Sequence, residues 1–323
     1  MVLSPREFKT VLSLHRSNMT KARRKQTRRR KPKAMPYPIG VEKAYRRVVS
    51  SYIDRVVSKS LELLRPFLLE YTSTRTDAED ADLEAIMRRL DNEMEIIYGT
   101  TYLSTAGLGQ ALTSIAEQVL GVNSAFLQKE ITVMAGTPIQ IAYDWWVPTK
   151  NIWMQENYSL IKSLSREYIT KLNSIVINGI QNGDSFETLA GNIEKLSANI
   201  SGARSRLIAR DQIGKLNSLV NKSQSLSLGM KVYFWITSRD ERVRGNPMGR
   251  YAKAIPSHYI MDGLMMSWEN NQVYSEDGGE TWLPKTAKME PQQAGMALQC
   301  RCTAASSFND VITPIDREIG DDI

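Results

Sequence analysis

After Gly229 the apolar pattern of this chain changes period, and that change limits what the chain can fold into. Upstream, apolar residues recur every three or four positions, the repeat that lines up side chains on one stripe of a helix. Downstream, Val232, Phe234 and Ile236 alternate with Tyr233, Trp235 and Thr237, a repeat of two that belongs to an extended strand. The expected fold class is α+β, predominantly α: a long helical region followed by a small β-containing C-terminal domain.

The helical region divides further. An amphipathic helix is expected from residue 41, carrying Tyr45, Val48, Val49, Tyr52, Ile53, Val56 and Val57, with Pro66 kinking or ending it. Asp77 or Asp80 can cap a second helix that carries Leu83, Ile86, Met87, Leu90, Met94 and Ile97. Shorter helices are expected over 108–120, 124–134 and 139–146, and a longer one over 149–180. Ser185 with Thr188 opens the next, and after a break at 197–202 a last helix runs to Leu228. Strands are expected at 264–268, 272–275, 280–283 and 304–308, with 276–279 as a turn. Residues 1–39 read as a mostly disordered arm, because its charges repel and Pro32, Pro36 and Pro38 stop helices. The chain therefore divides into 1–39, 40–228 and 229–323.

The formal charge of +7 is local. Nine cations, Lys21, Arg23, Arg24, Lys25, Arg28, Arg29, Arg30, Lys31 and Lys33, fall within thirteen residues, and removing them from +7 leaves −2 for the rest. Such a run binds phosphates by releasing their counterions, so these nine are the candidate DNA-binding residues. No aromatic side chain interleaves with them, which argues for non-specific double-stranded DNA over base readout. A solvated arm, or one docked on an acidic protein face, is the plainer alternative. Two cysteines spaced C-x-C imply no disulfide framework and hence reduced thiols. The sequence shows neither a signal peptide nor an apolar run long enough for a membrane span.

Chemistry-bearing residues gather late in the chain. The run from Trp235 through Arg239, Asp240, Glu241, Arg242 and Arg244 is followed by Ser257-His258, Asp262-Gly263 and Cys300-Arg301-Cys302. Asp240 and Glu241 are adjacent on an extended segment, so they face opposite ways and make a poor acid–base pair. Alternating signs fit an intradomain salt-bridge network instead. Asp240, His258, Asp262, Cys300 and Cys302 include donors for a transition metal. Structural zinc prefers C-x₂₋₄-C pairs, however, and C-x-C strains a single tetrahedral centre. No metal and no cofactor are therefore expected, with His258 hydrogen-bonded to Asp240 or Asp262 and the thiols packed as small apolar groups. A Cys–His nucleophile beside Asp262 is the enzymatic alternative. No phosphate loop, dinucleotide fingerprint or zinc-protease motif accompanies it, and the chain is read as non-enzymatic.

In order and spacing these residues closely resemble the C-terminal domain of the phage-Mu-F-like minor head proteins, also called head morphogenesis proteins. That domain is marked by W-x-T-x-R-D-E-R-V-R, then S-H-x-x-x-D-G, then C-R-C, and the likeness covers roughly residues 150–308, including Ile208-Ala209-Arg210-Asp211. Many relatives carry His-Pro shortly before C-R-C, where this chain has Ala297-Leu298-Gln299. The resemblance implies that Trp235, Arg239, Asp240, Arg242, Arg244, His258, Asp262, Gly263, Cys300 and Cys302 form a structural motif. It further implies a structural minor head protein of a tailed bacteriophage, associated with the portal protein through its helical region. Scaffold and major capsid proteins are further candidate partners. The location implied is inside the capsid of the virion, after assembly in the host cytoplasm, against packaged DNA and away from membranes. The alternatives are a DNA-binding accessory protein without a portal role and a phage-derived enzyme or toxin module.

Overall fold

The computed structural model describes residues 4–18, 32–74, 81–103 and 107–307. Lys21 to Lys31, and the candidate caps Asp77 and Asp80, lie outside them. The helices are α1 (Pro5–Ser17), α2 (Ile39–Thr74), α3 (Ala81–Leu103), α4 (Leu108–Ala135), α5 (Trp146–Asn182), α6 (Phe186–Asn199) and α7 (Ser205–Ser227). Five strands follow: β1 (Val232–Ile236), β2 (Met265–Ser267), β3 (Val273–Ser275), β4 (Leu283–Pro284) and β5 (Thr303–Ser307). The fold class is α+β, mainly α. No described helix is long and apolar enough to cross a membrane.

Two compact units form, one from residues 1–41, 116–151 and 210–323, the other from 42–115 and 152–209. The change of period at residue 229 falls inside the first of these units. In the second unit most of the stripe of α2 is buried: Tyr45, Val49, Tyr52, Ile53 and Val56. Tyr45 donates to Asn157 Oδ1 at 2.5 Å, and its ring lies 5.8 Å from that of Trp153. Pro66 does not end α2. Buried Leu64, Phe67 and Leu68 flank it, and packing of that face outweighs the roughly 3 kcal/mol that an interior proline costs. Ser185 does cap α6, accepting from the Thr188 N–H at 3.3 Å. The break expected at 197–202 is instead a π-helical turn, Ile200–Arg204, continuous with the helices on both sides.

The first unit contains the sheet, all antiparallel in the order β4-β3-β2-β1-β5. Alternation along β1 gives the sheet two apolar faces. Tyr233 and Trp235 join Met261, Met266, Trp268, Met289, Cys300 and Cys302 on one. Val232 and Phe234 join Met265 and Ala305 on the other. Helix α7 is tied to edge strand β5 by polar bonds: Asn221 donates to the Ala304 carbonyl at 3.1 Å, and Ser225 bonds to Ser306 at 2.6 Å. The two helices expected over 108–134 are one, because Asn123 is a buried helical residue that donates to Asn217 Oδ1 at 2.8 Å. Residues 139–145 are not helical.

Within the segment expected to be a mostly disordered arm, residues 5–17 form α1. Ser4 and Glu7 cap α1 reciprocally: the Ser4 N–H donates to Glu7 Oε2 at 2.8 Å, and the Glu7 N–H to Ser4 Oγ at 3.3 Å. Phe8 and Leu12 are buried in a cluster with Met35, Leu127, Ile131, Ile139, Leu228 and Met230. Residues 32–38 have no regular secondary structure, and the Met35 N–H donates to the Ala304 carbonyl at 3.1 Å, alongside the outer edge of the sheet.

Candidate functional site

Most chemistry-bearing residues of the C-terminal motif converge between the β1–β2 connection and the approach to β5. His258 stands just before a short 3-10 turn (Tyr259–Met261), and Cys300 and Cys302 just before β5. All three are buried, at 3%, 5% and 5% exposure, and their donor atoms lie within 4.8 Å of one another. Cys300 Sγ and Cys302 Sγ are each 3.4 Å from His258 Nδ1. The other ring nitrogen, Nε2, faces Glu290 Oε2 at 3.3 Å, and Glu290 is itself buried. Trp235 meets the imidazole edge-on, with ring centroids 5.7 Å apart. His258 thus bonds to neither Asp240 nor Asp262, and the thiols are more than apolar filling.

The local backbone explains this placement. The His258 N–H donates to the Arg244 carbonyl at 3.0 Å, which pins the loop that carries it. Gly245, with φ of 75°, must be glycine there: a Cβ would sit 2.0 Å from Ser257 Oγ. Gly263, at φ 81°, donates its N–H to the Trp235 carbonyl at 2.8 Å and turns the chain into β2. Before the cysteines, Gln299 adopts φ of 56°, and its N–H is held by Asp211 Oδ1 at 3.3 Å.

Most charged side chains of the motif find a partner: Arg239, Asp240, Glu241, Arg244 and Asp262 do. Asp240 accepts from the Arg242 N–H at 3.0 Å and pairs with Arg301 at 2.5 Å. Arg239 approaches Asp262 at 3.4 Å, while Asp262 accepts from the Thr237 N–H at 2.7 Å. Glu241 pairs with Arg250 at 2.7 Å, and Arg244 donates to the Leu298 carbonyl at 2.5 Å. Arg210, Arg242, Arg244 and Arg301 line a cavity of about 290 Å³ that reaches His258, Cys300 and Cys302. Of the nine basic candidates only Lys33 is described, and it pairs with Glu130 at 3.3 Å.

These surroundings set the protonation of the cluster. Burial opposes charge on His258, but hydrogen bonds with Cys300 and Glu290 and the charge of Cys300 outweigh it and lift its pKa to about 9. The Cys302 thiol, helped by His258 and opposed by burial, pushes Cys300 well down, while Cys300 and burial push Cys302 up. The three groups therefore titrate together, each one's charge depending on the other two. Asp240 also sits low, because the Arg242 N–H and Arg301 overcome its burial. Such a set can act as a thiolate nucleophile or hold a soft-to-borderline metal ion. Sequence reasoning missed Glu290 and gave Asp211, noted only within the family resemblance, no contact role; Asp211 on α7 holds the Gln299 N–H.

The stretch that carries this geometry matches a known family: the model of "Phage Mu protein F like protein" covers residues 170–305. This stretch is phage Mu F-like. It takes in α6, α7 and the sheet through most of β5, together with every residue of the Trp-to-C-R-C motif. An uncharacterized protein of Haemophilus influenzae is 28% identical over 180 residues, 51% of this chain and 37% of its own length. An uncharacterized protein of Methanocaldococcus jannaschii is 27% identical over 116 residues, 36% of this chain and 16% of its own length. The chain thus matches well under half the length of either relative. No solved structure matches.

Proposed function

We propose that the chain is a structural minor head protein of a tailed bacteriophage, recruited to the portal vertex during head assembly and kept inside the capsid. The observation that carries this reading is the F-like match over residues 170–305, together with the packing of its motif residues around one buried cluster. Arg239, Asp240, Glu241 and Asp262 of the motif form ion pairs within the domain, as expected of groups that hold a small fold together. Portal contact falls to exposed apolar side chains of the helical unit, since most of the α2 stripe is already buried; Leu69, Ile96 and Ile152 are such side chains, at 46%, 52% and 59% exposure. The basic run from Lys21 to Lys31 is assigned to packaged DNA, held by phosphate contacts without sequence preference.

The test is co-expression of the full-length chain with the portal protein encoded beside it. Co-purification is expected, and Ile96→Asp with Ile152→Asp should abolish it without changing the circular dichroism. Truncation at residue 229 is a poor test, because it removes the α7 bonds to β5. Failure to co-purify, with retention on DNA that falls as salt rises, favours an accessory DNA-binding protein.

A further inference from the structure

We propose that His258 Nδ1, Cys300 Sγ and Cys302 Sγ are three ligands of a bound transition-metal ion of the zinc type, with the fourth ligand a water or small anion in the adjoining cavity. Tetrahedral zinc, with bonds of about 2.3 Å to sulfur and about 2.05 Å to nitrogen, separates the two donors by about 3.6 Å. Both sulfurs lie 3.4 Å from the same ring nitrogen. Despite the C-x-C spacing, all three donor atoms lie within 4.8 Å of one another. The left-handed turn at Gln299, anchored on Asp211, precedes the pair and lets both sulfurs face His258.

The surroundings are those of a ligand set. Glu290 takes the remaining ring nitrogen of His258, the carboxylate–histidine arrangement that fixes the tautomer and orientation of metal-bound imidazoles. The buried indole N–H of Trp235, whose ring meets that of His258 edge-on, has no oxygen or nitrogen partner. A nucleophilic pair would use one thiol and leave the other without a role, and a bridge between the cysteines would leave His258 and Glu290 without one. A metal uses all four. Sulfur and imidazole together select zinc, or cobalt in its place, over magnesium and calcium. The three residues also line the arginine-walled cavity, so the fourth position opens onto space that admits water or an anion.

The test uses the full chain, expressed in zinc-supplemented medium and purified reduced and without chelator. Elemental analysis should find about one zinc per chain. Cobalt(II) added to the metal-free protein should give sulfur-to-cobalt charge transfer and tetrahedral ligand-field bands, and azide should shift the latter. Cys300→Ser and Cys302→Ser should each lose charge-transfer intensity while keeping their circular dichroism. Glu290→Gln should keep the ion but bind it about 10–100-fold more weakly. Absence of zinc and of any cobalt spectrum in the folded, reduced chain would overturn the site. So would undiminished metal in the double serine variant. Bands unmoved by azide would overturn the open fourth position.

Discussion

Phe8→Ala measures whether the N-terminal segment belongs to the folded body. Phe8 is fully buried against Leu127, Ile131, Met230 and their neighbours. Losing the ring forfeits about 1.5–3 kcal/mol of apolar burial, and the cavity left behind brings the cost of Phe→Ala to about 3–5 kcal/mol. For a body of this size each kcal/mol moves the melting temperature by about 2–4 °C, so the drop should be about 6–20 °C. Scanning calorimetry on the full chain reads it directly, with Leu14→Ala, 59% exposed on the same helix, as the control that should shift little. A Phe8→Ala protein that melts within about a degree of the parent would refute the docking of α1.

Other outcomes follow from single contacts. Asp240→Asn should cost about 1 kcal/mol near neutral pH, since its pair with Arg301 is partly exposed. Because the folded Asp240 pKa is depressed, its contribution exists above the unfolded value of about 4 and disappears as pH falls through the folded value; the gap in melting temperature between Asp240→Asn and parent should therefore close in acid. Asn221→Ala removes the donor to the Ala304 carbonyl and should cost about 1–3 kcal/mol, seen as earlier urea unfolding. Replacing Arg23, Arg24, Arg28, Arg29 and Arg30 with Gln should leave the melting curve unchanged and weaken binding to random duplex DNA. The salt slope should flatten by about 0.9 for each phosphate that is no longer neutralised; an unchanged slope would end the DNA assignment.

The sequence carried the parts of this structure that depend on local pattern. Alternation in 232–237 placed β1 and both its faces, and Ser185 with Thr188 placed the start of α6. Ser4-Pro5-Arg6-Glu7 held an equally local signal, a capping box with proline in the first turn, which the charge and prolines that follow obscured. Tertiary packing carries α2 through Pro66 and α4 through the gap expected between residues 120 and 124, where local pattern allowed an end. In the site, the sequence supplied His258, Cys300 and Cys302 but not their convergence. That depends on Glu290, 32 residues from His258, and on a left-handed Gln299, which no spacing rule anticipates.

Mass spectrometry of purified particles of the phage that encodes this chain tests the head-protein assignment most directly. The account predicts that the chain is present in both procapsids and mature virions, in low copy number relative to the major capsid protein. Its absence from both particle types, in lysates where the chain itself is abundant, would contradict it.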